Sequence, residues 1–152
     1  MTLVRPATHN DIPELVRLRA LLFDSLDSDS FQAGDWRTAL ATVLHDHLDS
    51  ATMRILVVAG DNGLAACGVG TIEQRLPGPR LPNGRLGQVY GVITDPVYRR
   101  RGHSRTVMRG LLDWFREQGA GRVDLNASKE GEPLYRDLGF VDHHEPPMWL
   151  WL

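Results

Sequence analysis

The chain has 152 residues, 42% apolar and 24% charged, the balance of an ordinary globular protein, and it reads as one domain over residues 1–152. Its formal net charge of −2 supplies no global basic field and argues against a nucleic-acid partner. No apolar run approaches the ~18–20 residues that cross a bilayer, Met1–Pro6 has no signal-peptide core, and Cys67 is the only cysteine. The expectation is therefore a cytoplasmic protein with no membrane partner, disulfide or cysteine-rich zinc site.

In chain order, Leu3, Val4 and Arg5 read as a short strand closed by Pro6. Thr8 or Asp11 can cap the helix that follows, with Pro13 tolerable in its first turn. Ile12, Leu15, Val16, Leu22 and Phe23 recur at helical spacing and predict one buried face. Asp24–Asp35, rich in Asp and Ser, reads as a loop. Asp35 then opens a second helix with Trp36, Leu40, Val43, Leu44 and Leu48 on one side. The period changes at Met53–Ala59, a continuous apolar run that predicts a buried strand. Asp61-Asn62-Gly63 is a hairpin signal. Leu64–Arg75 returns as a second strand, where Gly68 and Gly70 suggest a bulge or a close backbone approach. Leu76–Gly87, with three prolines and three glycines, reads as a surface loop, and Gln88–Thr94 as the third strand of the meander.

Beyond Asp95-Pro96 a helix carries Val107, Met108, Leu111, Leu112 and Phe115 on one face and stops at Gly119. Arg122–Asn126 reads as a strand and Pro133–Leu138 as a short helix ending at Gly139. Phe140-Val141 and Pro147–Leu152 read as the last strand or strands. Trp149 and Trp151 alternate there, to cover a sheet face or to form a homodimer surface. The sum is a mixed α/β sheet flanked by helices.

The segment from Val92 to Ser104 is the most informative. A strand runs into a tight turn that opens a helix, and the first turn of a helix presents amides without intrahelical partners at its positive end. Such an end takes a phosphate or diphosphate readily. Gly102 brings no Cβ toward the anion, Ser104 can add a hydroxyl, and Arg99, Arg100 and Arg101 add charge. Taken alone, the same residues also fit a solvated basic patch before an ordinary helix.

Arg99-x-x-Gly102-x-Ser104 resembles the Arg/Gln-x-x-Gly-x-Gly/Ala signature of the GNAT superfamily of N-acetyltransferases, with Ser104 departing from the usual Gly or Ala. Pro96-x-Tyr98-Arg99, Leu125–Ser128, Leu134-Tyr135-x-x-Leu138-Gly139-Phe140 and the opening Val4-Arg5-Pro6-Ala7-Thr8-x-x-Asp11 add to the resemblance, which covers nearly the whole chain. It implies a GNAT-like mixed sheet in which two parallel strands, Gln88–Thr94 and Arg122–Asn126, splay apart to form the cleft for acetyl-CoA. Val92, Ile93 and Thr94 would pair with the pantetheine amides, and a backbone N–H there could steady the thioester oxyanion. Arg99, Arg100, Arg101, Gly102, His103 and Ser104 would cradle the diphosphate, mainly through main-chain N–H groups. Tyr135 matches the family's general acid for the thiolate, against a purely packing role beside Phe140. Asn126 would bond the cofactor or a water, or cap the turn at Ser128. Glu73, where several family members place a carboxylate, is the first choice of general base, against an exposed sheet carboxylate.

The acceptor expected is a primary amine of a small molecule or peptide. Trp36 and Phe31 sit where the family builds the acceptor pocket, with core packing an equal alternative for Trp36. Asp24, Asp27 and Asp29 could attract a cationic amine or form a solvated loop. A non-catalytic acyl-CoA sensor on the same fold is the alternative function. No metal is expected: His45 and His47, two apart, do not share a helix face, and His143-His144 lacks further ligands at metal spacing.

Overall fold

The computed structural model describes residues 3–24 and 35–152. Most of the acidic segment, with Asp27, Asp29 and Phe31, lies outside the described residues. Its first residue closes a helix and its last stands before the next.

The elements follow in the order β1 (Val4–Pro6), α1 (Ile12–Asp24), α2 (Trp36–His47), β2 (Met53–Gly60), β3 (Gly63–Gln74), β4 (Arg85–Thr94), α3 (His103–Glu117), β5 (Arg122–Leu125) and α4 (Glu132–Asp137). A single 3₁₀ turn, His9–Asp11, leads into α1, and another, Pro96–Tyr98, links β4 to the approach of α3. The sheet runs β1-β2-β3-β4-β5; the first four strands are an antiparallel meander, and β5 joins β4 in parallel after the α3 crossover.

Both faces of the sheet are covered, so the middle of β2, Ile55–Val58, is continuously apolar and buried instead of alternating. Leu56 and Val58 join Val107, Met108, Leu111 and Phe115 of α3 on one face. Ile55 and Val57 join Leu15 and Leu18 of α1 and Leu44 of α2 on the other. The predicted stripe of α3 is the core of the first face, widened by Trp114. Gly68 and Gly70 lie under α3: a Cβ on Gly68 would stand 2.6 Å from Val107, and one on Gly70 2.9 Å from Phe115. Close approach is thus their purpose. Gly68 also faces the bulge, where β4 spends two residues, Gly91 and Val92, against this one of β3.

Two boundaries differ from expectation. Strand β4 starts at Arg85, three residues before Gln88, because the preceding loop is tied to α3. The Asn83 amide donates to Gly119 O (2.8 Å) and Arg85 Nε to Gln118 O (2.9 Å), satisfying carbonyls at the end of that helix. And no strand forms at Phe140-Val141 or Pro147–Leu152. The Glu145 amide donates to His143 Nδ1 (3.0 Å), bending the chain, and Pro146 and Pro147 have no N–H for a ladder. Trp149 and Trp151 are 82% and 79% exposed, so they do not cover the sheet face expected of them.

Candidate active site

Strands β4 and β5 pair only from Leu86↔Arg122 to Val89↔Leu125. The rest of β4 stays on β3, through Tyr90↔Val69, Ile93↔Cys67 and Thr94↔Ala66. Its opposite edge, along Val92, Ile93 and Thr94, therefore has no strand partner among the described residues. Gly91 makes the divergence: its φ of +62° belongs to the left-handed region that a side chain disfavours.

Past Thr94 the chain is anchored before it turns. Asp95 is buried, accepts from Val97 N (3.0 Å) and pairs with Arg17 of α1 at 2.6 Å. Arg17 also grips Glu14 at 2.7 Å and donates to Leu64 O at 3.1 Å. The Arg17 guanidinium holds the carboxyls of both Asp95 and Glu14 below the usual carboxylate range. Buried Tyr98 accepts from Asn62 N (3.0 Å), fixing the 3₁₀ turn to the β2–β3 hairpin.

The loop then enters α3 through Arg100 at φ +66° and Gly102 at φ +77°. Nothing lies within 4 Å of where a Gly102 Cβ would be. The first backbone bond of α3 runs from Thr106 N to Gly102 O (3.0 Å), and no side chain caps the end. The amides of His103, Ser104 and Arg105 are thereby left without intrahelical partners. Ser104 Oγ stands 2.7 Å from Thr94 Oγ1, joining the strand end to the helix start. The His103 ring is buried edge-on to Tyr98, and its Nδ1 has no partner among the described residues, so His103 offers the loop its backbone. Arg101 lies over the Tyr98 ring at 5.6 Å, while Arg99 and Arg100 are exposed. This is a bare, positively polarised cradle that a Cβ at Gly102 would occupy. It fits a diphosphate.

Tyr135 is buried on α4, edge-on to Phe140 at 6.1 Å, in the same core as Val92 and Leu125. Its hydroxyl makes no hydrogen bond among the described residues. Burial raises its pKa. Asn126 is exposed just past β5, and the Ser128 turn closes without it, through Gly131 N to Ser128 Oγ (3.1 Å). Glu73 is exposed, pairs with Arg75 at 3.1 Å and stands opposite Leu86, at the far end of β4 from the bulge. Among the described residues there is no group of three His, Cys, Asp or Glu side chains fit to hold a metal, and no helix long and apolar enough to cross a membrane.

On the α1/α2 face a cavity of about 590 Å³ reaches the bulge, lined by Arg19, Phe23, Trp36, Cys67, Tyr90 and Gly91 among others. Burial pushes the Cys67 thiol up to about 12, so it stays neutral. The sequence reading reached Trp36 but missed Arg19 and Tyr90. The signal for Arg19 was a cation set i+4 from Leu15 and i−4 from Phe23 inside an apolar stripe.

A sequence model described as "Acetyltransferase (GNAT) family" matches residues 17–140. The chain belongs to this family. GNAT acetyltransferases use acetyl-CoA. The chain is 32% identical over 108 residues to a glucosamine 6-phosphate N-acetyltransferase 1 of Oryza sativa subsp. japonica, covering 68% of this chain and 58% of that one. It is 31% identical over 67 residues to a glucosamine 6-phosphate N-acetyltransferase of Trypanosoma brucei brucei, covering 43% and 46%. The chain thus spans about half the length of these curated relatives. A predicted acetyltransferase from Clostridium acetobutylicum, in a crystal structure with acetyl-CoA, superposes with a TM-score of 0.84 at 25% identity, covering all of this chain and 96% of the other.

Proposed function

We propose that the protein is a cytoplasmic acetyl-CoA-dependent N-acetyltransferase acting on a primary amine of a small molecule or peptide. The observation that carries the reading is the open β4 edge running directly into the uncapped end of α3. Val92, Ile93 and Thr94 would pair with the pantetheine as an added strand does. The amides of Arg99–Ser104 would bind the diphosphate, with Arg99 and Arg100 adding charge from solvent. Asn126, at the mouth of the splay, would bond the cofactor or an ordered water.

Acetyl-CoA supplies an activated acyl group. The reaction forms one C–N bond and breaks one C–S bond; the amine gives up a proton and the departing sulfur takes one. A backbone N–H on the β4 edge would steady the carbonyl oxygen as charge develops there. Tyr135, kept protonated by burial, would donate to the sulfur. Glu73 is assigned the amine's proton only through intervening water, given its place at the far end of β4.

One observation favours the sensor instead: among the described residues the cavity lining holds no carboxylate or imidazole to serve as a base. Thiol release with a panel of primary amines, run beside calorimetry with acetyl-CoA, decides between them. The enzyme reading expects binding and amine-dependent thiol release. Binding without thiol release would leave the sensor, and no binding would end both. Two copies are proposed to associate through Met148–Leu152.

A further inference from the structure

We infer that the acceptor is an amine on an aromatic or branched apolar body that also carries a carboxylate, which Arg19 receives. This rests on the acetyltransferase reading and deepens it. Among the described residues, Arg19 is the only charged side chain lining the cavity beside the bulge. It has no ion pair among the described residues, and its guanidinium stacks 5.1 Å from the Phe23 ring centroid. Its Nη1 would lie 3.3 Å from a Cβ on Gly91, so the charge sits beside the residue that opens the splay. The Trp36 indole N–H, in the same lining, is buried with no partner among the described residues. Both of these groups are donors, and among the other described lining residues only Tyr90 and Cys67 carry a polar side-chain atom.

A ligand that fits must bring an acceptor, best an anion. A guanidinium in apolar surroundings takes a carboxylate through two parallel hydrogen bonds, stronger than in water. The rest of the ligand must be apolar, because hydroxyls against Leu15, Leu40 and Ile55 would lose water without gaining partners. A polycationic amine finds no carboxylate among the described lining residues and meets Arg19 as a like charge.

Binding and turnover test this separately. Calorimetry compares hydrocinnamate with its neutral amide on wild type, Arg19→Met and Arg19→Lys. The carboxylate is expected to bind wild type about tenfold or more tighter than the amide, and Arg19→Met to bring the ratio near one. Arg19→Lys keeps the charge without the fork and retains part of the preference, which keeps the test alive if the Met variant folds poorly. In acetyl transfer, phenylalanine is expected to exceed phenethylamine, kanamycin and glucosamine 6-phosphate in kcat/KM. A ratio untouched by Arg19→Met, or a preference for kanamycin or glucosamine 6-phosphate over phenylalanine, overturns the inference. Arg19-dependent binding of hydrocinnamate with no acetylation of any amine would sink the acetyltransferase reading and leave this assignment standing.

Discussion

At the scale of single residues, the site separates side chains that carry chemistry from those that shape backbone. On the proposed mechanism, Tyr135 is of the first kind. Replacing it with Phe keeps the ring against Phe140 and removes only the proton donor, so kcat should fall about 10²-fold with little change in the KM for acetyl-CoA. An acid must be protonated to act, so wild-type kcat should decline as pH rises through the Tyr135 pKa. Burial raises that pKa, placing the decline above the ordinary tyrosine value of about 10. A pH–rate profile checks both points: an alkaline limb that persists unchanged in Tyr135→Phe assigns it to another group. Gly102 is of the second kind. Gly102→Ala meets no neighbour within 4 Å but must hold φ +77°, a cost of roughly 1–2 kcal/mol. Its methyl would fill the cradle, so the Kd for CoA should rise about tenfold or more, well beyond what the thermal shift explains. A Kd equal to wild type would place the diphosphate elsewhere.

At the scale of elements, the joint between α1 and the end of β4 decides whether the open β4 edge is held in place. Arg17 bridges Glu14 and Asp95 and so locks α1 to the strand just before the loop. Asp95→Asn should cost about 1–3 kcal/mol in urea unfolding at pH 7, toward the low end because Arg17 is partly solvated. The sign with pH follows from the folded Asp95 carboxyl lying below its unfolded value. Its contribution is complete above the unfolded pKa of about 4 and disappears as pH falls through the folded one. The gap between wild type and Asp95→Asn should therefore shrink between pH 7 and pH 3; a constant gap would mean that the ion pair does not stabilise the joint. This joint also shows what the sequence could reveal. Asp95 before a proline announced a turn, and Gly102 after three arginines announced a helix entry, because both are local events. The partner of Asp95 lies 78 residues away in α1, and nothing in the spacing of Arg17 names it. Likewise the bulge at Gly91 exists only in register with β3, and Arg19 lines a cavity only once α1, α2 and the sheet enclose it. Tertiary pairing also explains why β4 began earlier than its local pattern indicated.

At the scale of the whole molecule, the C-terminal segment presents a problem that the chain alone leaves open. Met148, Trp149, Leu150, Trp151 and Leu152 are each at least 79% exposed, an apolar run without cover. Strand β5 is the last of the sheet, only four residues long, and its outer edge has no strand partner among the described residues. An uncovered edge is a template for another strand, and a cleft of about 740 Å³ lies beside it, where Leu112, Val123 and Phe140 alternate with charged side chains such as Arg75, Arg116 and Arg122. The segment of one copy laid on the β5 edge of a second would bury both tryptophans twice over, and a twofold arrangement closes without leaving a free end. Each fully buried large apolar side chain contributes roughly 1.5–3 kcal/mol, so the paired runs exceed the low end of what association costs. Size-exclusion chromatography with light scattering should therefore give a dimer mass at micromolar concentration, and Trp149→Glu combined with Trp151→Glu should give a monomer that still binds CoA, since neither residue touches the cradle. A monomeric wild type would mean that the dimer has to be abandoned.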